Sequence, residues 1–153
     1  MKLIVSDASP LIVVAKSGLL PVLTALVEEV VIPETVYAEC TVEISLPGAR
    51  AVRAAVETGQ IHVRPDAKGP SDDPGNELAG LDAGELAAIH MATALECPVL
   101  MDERLGRQVA KRRGITVIGS AGLLLAAKKR GLVPAVAPIL DAMPGANALN
   151  WRT

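Results

Sequence analysis

Short runs of apolar residues without alternation are the feature that most constrains how this chain folds. They lack the two-residue period of a half-exposed strand, so they are typical of strands covered on both faces. Segments with helical patterns separate the runs, and this alternation favours right-handed crossovers that build a parallel sheet. The runs, each three to five residues long, occupy 2–6, Val30–Ile32, Ile61–Val63, Pro98–Met101 and Ile115–Ile118. We therefore predict an α/β fold, a three-layer α/β/α sandwich with a central parallel sheet of about five short strands.

Helical patterns fill most of the remaining chain. The first is expected to begin with Ser9 as N-cap and Pro10 at the first helical position, and glycines such as Gly59 end later ones. The predicted helices are Pro10–Ser17, Leu19–Leu26, Glu34–Ile44, Ala49–Thr58, Asp82–Glu96, Glu103–Arg113, Ala121–Arg130 and Pro134–Ala142. Segment 64–80, with three Pro, three Gly and three Asp, reads as a loop. A length of 153 residues fits one domain, 1–153, with an irregular tail at about 143–153.

The composition predicts an aliphatic core and excludes several classes of protein. Half of the residues are apolar, but there is no Phe, one Tyr and one Trp, so stacking of bases on aromatic rings is not expected. The longest charge-free run, Gly114–Ala127, is too short to span a bilayer. Asp7 interrupts the apolar stretch that a signal peptide needs. Because the two cysteines lack zinc-ligand spacing and fit a reducing compartment, we expect a cytoplasmic protein without membrane binding.

Asp7 stands directly after the first predicted strand. Ser9 and Pro10 are sufficient to start the next helix, which leaves the Asp7 carboxylate without a capping role. Open α/β sheets bind ligands at the carboxyl ends of their strands, so Asp7 is a candidate site residue. The alternative is an aspartate that only shapes a turn. Other acids predicted to approach the same sheet edge are Glu39, Asp82, Glu85, Asp102 and Glu103.

Several carboxylates in one cleft would favour a divalent cation, because they repel each other and raise each other's pKa. Oxygen ligands without His or Cys favour Mg²⁺ or Mn²⁺ over zinc. Each acid also has a structural alternative: a solvated helix residue for Glu39, a capping box for Asp82 and Glu85, and an N-cap for Asp102. Gly84 is unusual inside that box, since glycine weakens a helix and is tolerated where a ligand or another backbone approaches closely.

The C-terminal third is cationic, although the net charge of the chain is −2. No acidic residue occurs between Glu103 and Asp141. Arg104, Arg107 and Lys111 fall on one face of a predicted helix. This face would either guide a phosphate backbone towards the acids or be a solvated helix surface.

Five sequence motifs follow one another along residues 2–140. They are DASPLI, VVIPETVYAE, LDAGELAAI, LMDERLGRQVA, and GITVIGSAGLL continued by AKKRGL. In this order and at this spacing they resemble the PIN-domain family, and within it a VapC-like branch of small single-domain prokaryotic proteins. The resemblance implies a metal-dependent endoribonuclease that hydrolyses RNA phosphodiester bonds. It further implies the toxin of a toxin–antitoxin pair, with a cognate antitoxin as partner, and a homodimer.

The resemblance also implies roles for individual residues. The four matching catalytic acids are Asp7, Glu39, Glu85 and Asp102. The implied ligands of Mg²⁺ or Mn²⁺ are Asp7, Glu85 and Asp102. Their neighbours Asp82 and Glu103 are implied as additional ligands. Glu85 is longer than the aspartate common at its position. Ala8 replaces a common hydroxyl residue, so support near Asp7 would come from Ser9. The expected substrate-binding residues are Ser9, Arg104, Arg107 and Lys111.

Two other functions fit parts of the pattern. A PIN-fold binding or regulatory module would keep the fold without nuclease activity. Another small phosphoryl-transfer hydrolase, such as a haloacid dehalogenase-like phosphatase, needs D-x-D after the first strand, where this chain has Asp7-Ala8-Ser9. With two His and neither glycine-rich phosphate-loop motif, the chain offers no Ser-His-Asp triad and no nucleotide-binding loop of those types.

Overall fold

The computed structural model describes residues 2–68 and 80–131, and a parallel sheet lies at its centre. Its five strands are β1 (Leu3–Ser6), β2 (Glu29–Pro33), β3 (Ile61–Arg64), β4 (Val99–Leu100) and β5 (Val117–Ile118). Their order across the sheet is β3-β2-β1-β4-β5, and every neighbouring pair is parallel. The predicted parallel α/β architecture is therefore confirmed.

Helices cover both faces of this sheet. In the described residues they are α1 (Ala8–Lys16), α2 (Leu20–Leu26), α3 (Glu34–Thr41), α4 (Pro47–Glu57), α5 (Ala83–Leu95), α6 (Arg104–Arg112) and α7 (Ser120–Lys129). Successive strand residues point to opposite faces. Ile4 and Val5, which are successive in β1, are both fully buried, so apolar side chains pack against each face.

Aliphatic side chains build the core, as the composition predicts. Leu11 of α1, Leu23 of α2 and Ile89 of α5 are completely buried against the sheet. Full burial of such a side chain contributes about 1.5–3 kcal/mol relative to its exposure. Burial on both faces explains why the strand sequences show continuous apolar runs.

The strand order reverses at β1, and this reversal locates a crevice. From β1 the chain moves outward to β2 and β3, then crosses to β4 on the other side of β1. Ligands of open α/β sheets bind at such a switch point, outside the carboxyl ends of the strands. Asp7 follows β1 directly, and Asp102 lies two residues beyond β4. The Asp7 N–H donates to the Leu100 carbonyl at 3.0 Å, which holds the two strand ends together.

The start of α1 differs from the prediction. The helix begins at Ala8, so Asp7 takes the N-cap position and the predicted N-cap, Ser9, lies inside the first turn. Pro10 is tolerated there because the first-turn N–H groups have no helical acceptor. The other helix and strand ends lie within three residues of their predicted positions, and several coincide with them. The predicted helix Pro134–Ala142 and the irregular tail lie outside the described residues.

In the described part of the chain no single helix is long and apolar enough to cross a membrane. Helices α1 and α2 together have the length and apolar composition of a span, but they bend by 117° at the break between them. Both contribute fully buried residues to the core, such as Val14 and Leu23.

Candidate metal and nucleic-acid site

Asp7 is a buried carboxylate at the switch point of the sheet. Its exposed fraction is 5%, and its side chain makes no capping hydrogen bond although it occupies the N-cap position. Burial raises the pKa of Asp7 to about 6; the Ala8 N–H opposes the rise, and the charges of Asp82, Glu39 and Asp102 add to it. Because these three acids act on it electrostatically, Asp7 is the centre of an acidic group, which is the arrangement expected from the sequence.

Glu39 reaches this group from α3, the helix after β2. It is partly buried, and burial raises its pKa, as does the charge of Asp82. The backbone N–H of Gly84 lowers that pKa, since it bonds to the charged form. A Cβ at Gly84 would lie 2.5–2.8 Å from the two oxygens and the Cδ atom of Glu39. The close approach that the unusual Gly84 indicated is therefore made by a glutamate side chain.

Asp82 and Glu85 form the predicted capping box at the start of α5. The Glu85 N–H donates to Asp82 Oδ1 at 2.7 Å, and the Asp82 N–H donates to Glu85 Oε1 at 2.9 Å. Asp82 also acts on Asp7 and Glu39 by its charge. Asp82 therefore caps α5 and also belongs to the acidic group, the two interpretations that the sequence left open.

Glu85 interacts with a further acid, Glu103, from the start of α6. Only 6% of Glu85 is exposed, and its buried Oε2 atom accepts no N–H or O–H group of the described residues. Burial raises the pKa of Glu85 to about 8; the Asp82 N–H opposes this, and Glu103 adds to it through a hydrogen bond and its charge. Asp82, which acts on both Asp7 and Glu85, connects Glu85 to the acidic group around Asp7.

Glu103, rather than Asp102, is the N-cap of α6. Its two carboxylate oxygens accept the N–H groups of Leu105 at 3.0 Å and Gly106 at 2.7 Å. Burial raises the pKa of Glu103, but these two bonds and the bond from Glu85 outweigh burial and lower it overall. A Cβ at Gly106 would lie 3.4 Å from Glu85 Oε2 and 3.5 Å from Glu103 Oε2, which places both glutamates beside that glycine. A proton on Glu85 allows the two carboxyls to share a hydrogen bond.

Asp102 spans from the end of β4 to the start of α7. Its Oδ1 atom accepts the Ser120 N–H at 2.7 Å, and its Oδ2 atom accepts the Ser120 hydroxyl at 2.5 Å. The interpretation of Asp102 as the N-cap of the helix that follows it is wrong, because the first N–H groups of that helix bind Glu103. Sequence reasoning missed Ser120, which is 1% exposed. The signal was a serine at the start of an apolar helix, directly after Gly119.

The hydroxyl groups near Asp7 differ from the expectation. Ser9 is exposed on α1, whereas Ser6 is fully buried and donates its hydroxyl to the Asp7 carbonyl at 2.8 Å. Ser6 therefore supports the backbone of Asp7. Cys40 is also close: burial and the charges of Asp7 and Glu39 raise the pKa of its thiol to about 12. A thiol with such a pKa is not a nucleophile near neutral pH.

A groove of about 1180 Å³ adjoins Asp102 between α6, β5 and α7. Its charged lining is cationic apart from that aspartate: Arg104, Arg107, Lys111 and Arg130. Arg107 is partly buried and donates from Nη1 to the Met101 carbonyl at 3.0 Å, so it also ties α6 to the end of β4. Arg104 and Lys111 are exposed. Arg130, from α7, was not among the expected substrate-binding residues.

These carboxylates suit an Mg²⁺ ion whose coordination is completed by water and substrate. They are less suited to a site in which the protein supplies every ligand. Within 2–68 and 80–131, no group of three or more His, Cys, Asp or Glu side chains is close enough to hold a metal ion. The two ion pairs in the same ranges, Arg53–Glu57 and Arg64–Glu29, involve none of the site acids. Mg²⁺ is usually held by one or two carboxylates together with water and substrate phosphates. Asp7, with Glu39, Asp82 and Asp102 near it, could supply a carboxylate of this kind.

Comparisons with known proteins agree with this architecture. A solved domain of a functionally unknown protein from Methanocaldococcus jannaschii DSM 2661 is similar in fold, with a TM-score of 0.51 and 17% identity over 78% of this chain and 91% of that one. Comparison with curated proteins finds no significant match. A family model described as DUF3368, a PIN domain, matches residues 3–150. The chain therefore belongs to the PIN-domain family.

Proposed function

We propose that this protein is a metal-dependent endoribonuclease. The observation that carries the proposal is the buried Asp7 at the switch point of the sheet, whose charge is opposed by three neighbouring acids. Keeping the buried Asp7 carboxylate beside three other acids is costly unless the group binds a ligand. PIN domains are generally nucleases, and this acidic group lies where an open α/β sheet binds its ligand.

Asp7 would hold the cation, with Glu39, Asp82 and Asp102 as neighbouring carboxylates. When bound, Mg²⁺ or Mn²⁺ supplies an activated water and neutralises charge on the phosphodiester. Asp102 is held in one orientation by two hydrogen bonds from Ser120, and the Glu39 carboxylate lies against the backbone of Gly84. Such fixed carboxylates need little reorganisation when substrate arrives. Glu85 and Glu103, the other two acids with an expected metal role, lie together beside Gly106, and Glu85 is joined to Asp82 by the capping box.

The cationic groove beside Asp102 supports a nucleic-acid substrate. Arg104 and Lys111 are exposed on α6, and Arg130 extends the same charged lining from α7. Phosphate contacts of this kind provide affinity without sequence information. A strand lying in the groove would pass next to Asp102 and so reach the acidic group.

The choice of RNA, and the biological setting, rest on the resemblance to VapC-like proteins. On that basis we also propose that this protein is a toxin, that it acts in the cytoplasm as a homodimer, and that a cognate antitoxin inhibits it. Co-expression with the product of the neighbouring reading frame tests this part: growth arrest by the protein alone, relieved by its neighbour, is expected. Growth unaffected by the active protein contradicts the toxin role.

The central experiment compares wild type with Asp7→Asn on labelled single-stranded RNA and on DNA of the same sequence. We expect wild type to cleave RNA with Mg²⁺ or Mn²⁺ and not with a chelator. The cleavage rate of Asp7→Asn should be lower on the order of 100-fold or more, because the substitution removes the charge of the proposed ligand and keeps nearly the same side-chain shape. Glu57→Gln, an exposed glutamate on α4, is the matched control and keeps full activity. Cleavage by Asp7→Asn at the wild-type rate would overturn the proposal.

One observation favours a second candidate, an RNA-binding module without cleavage. The described residues contain no group of three acids close enough to hold a metal. This candidate predicts RNA binding through the cationic groove with no cleavage under any metal condition. Binding measured by fluorescence anisotropy in parallel with the cleavage assay separates the two.

A further inference from the structure

Gly84 leaves room for the carboxylate of Glu39. An ideal Cβ at residue 84 would lie 2.5 Å from Oε2, 2.7 Å from Oε1 and 2.8 Å from Cδ of Glu39. Side chains do not approach a Cβ atom so closely. The space that a side chain at position 84 needs is therefore already occupied by a carboxylate from another helix.

The backbone at position 84 does not itself require glycine. Gly84 lies in the first turn of α5, and it is not among the glycines with positive φ, unlike Gly80 just before the helix. Glycine at a regular helical position is less favourable than alanine. The local structure thus disfavours glycine, and only the contact with Glu39 accounts for it.

The first turn of α5 lies against two acids. Asp82 accepts the N–H of Glu85, and the Glu39 carboxylate lies against Gly84, whose backbone N–H lowers the pKa of Glu39. Helix α3 therefore contributes a side chain to the start of α5, and these two helices pack against each other. Glu39 is held where its carboxylate also faces Asp82, and Asp82 and Glu39 both act on Asp7.

We propose that Gly84 is a positioning residue that places the Glu39 carboxylate in the acidic site. The proposal rests on the proposed nuclease function, because it gives Glu39 a role in that reaction. The overlapping atoms are the end of a flexible side chain, so a methyl group at position 84 moves Glu39 rather than the backbone. Gly84→Ala should therefore impair activity without unfolding the protein.

The first test is a crystal structure of Gly84→Ala together with its melting temperature. The Glu39 carboxylate is expected to shift by about 1 Å or more while the backbone of α5 stays in place. The melting temperature is expected to be unchanged or a few degrees higher, since alanine favours the helix. Gly122→Ala on α7, where a Cβ meets no atom within 4 Å, is the matched control for that stabilising effect.

The second test is a kinetic cycle with Glu39→Asp. Gly84→Ala in the wild-type background should lower kcat on the order of 10- to 100-fold, because a misplaced group loses its alignment with the substrate. Asp is shorter than Glu by one carbon, about 1.5 Å, and so clears the added methyl. In the Glu39→Asp background, Gly84→Ala should therefore change kcat less than about threefold.

The outcomes separate this inference from the proposed function. If wild type does not cleave RNA but Gly84→Ala displaces Glu39, the nuclease proposal fails and the positional role of Gly84 stands. If wild type cleaves RNA but Glu39 keeps its position in Gly84→Ala, the inference is wrong. An equal loss of kcat in both backgrounds also contradicts it, since the effect of residue 84 then does not act through Glu39.

Discussion

At the scale of single residues, burial and near neighbours give the acids of this protein different properties. Asp7 and Glu85 are both almost fully buried, and burial raises the pKa of each, to about 6 and about 8 respectively. Asp7 faces several acids at the switch point, whereas Glu85 pairs with Glu103. Asp102 accepts two hydrogen bonds from Ser120. Acids that all match catalytic positions of one family therefore differ in protonation and in hydrogen bonding.

Glu85 is predicted to make stability fall as the pH rises. Its folded-state pKa of about 8 lies above its ordinary value of 4.5, so the native state keeps a proton that the unfolded state releases. This contribution to stability is fully present below pH 4.5 and is lost as the pH rises to about 8. Glu85→Gln imitates the protonated form, and its side-chain oxygen still accepts the Asp82 N–H.

Urea unfolding without divalent ions, from about pH 6.5 to 8.5, measures this effect. Asp7 is mostly ionised across this pH range, so it contributes little to the change in stability. Wild type should lose stability across that range, and Glu85→Gln should lose clearly less. Glu57→Gln, on an exposed face, should follow wild type. Equal slopes for wild type and Glu85→Gln would show that the proton on Glu85 does not contribute.

At the scale of elements, two first-turn glycines allow two helices to approach their neighbours. Gly84 of α5 accommodates the flexible end of Glu39. Gly48 of α4 meets α1 instead, where an added Cβ would lie 2.8 Å from Ile12 Cγ2 and 3.6 Å from the Ile12 carbonyl. Because Cγ2 is attached to a β-branched carbon with restricted rotation, it cannot move away as a glutamate carboxylate can.

Gly48→Ala is therefore predicted to destabilise the fold by about 1–3 kcal/mol, since α1 and α4 must separate. Gly122→Ala, with open space around its Cβ, should stabilise by up to about 1 kcal/mol. Urea unfolding at constant pH measures both. A Gly48→Ala protein as stable as wild type would mean that the α1–α4 contact adapts without cost.

At the scale of the whole molecule, negative charge gathers on one side of Asp102 and positive charge on the other. The net charge is −2, so overall electrostatics does not attract RNA. The acids gather around Asp7, and the cations of α6 and α7 line the adjoining groove. A polyanion would therefore be attracted locally by the groove and excluded from the acidic group unless a cation is bound there.

Removing groove cations is predicted to reduce both the affinity for single-stranded RNA and its salt dependence. Arg104→Ala combined with Lys111→Ala should lower the slope of log K against log[salt] by about 1.4, from two lost phosphate contacts. Lys16→Ala combined with Arg50→Ala removes equal charge from exposed positions on α1 and α4 and should leave the slope unchanged. Fluorescence anisotropy over a salt series gives the slopes, and equal slopes for both double variants would contradict the groove assignment.

Much of the fold was predictable because its signals are local. The continuous apolar runs identified all five strands, and the capping box of Asp82 and Glu85 located the start of α5. The exact start of α1 was not predictable, because Ser9 and Asp7 are both suitable N-caps and sequence alone does not choose between them. Gly84 carried a correct local signal of close approach, but not the identity of the approaching group.

By itself, the sequence determined the parallel α/β architecture, the aliphatic core and the position of Asp7 and Asp102 at one sheet edge. These follow from periodicity and from strand ends, which depend on residues near each other in the chain. Only the tertiary structure decided that Glu39 reaches Gly84, that Glu85 pairs with Glu103, and that Asp102 holds Ser120. Those contacts join residues from separate elements, and the direction of a flexible acid is set by whichever N–H, hydroxyl or carboxyl group packing brings within its reach.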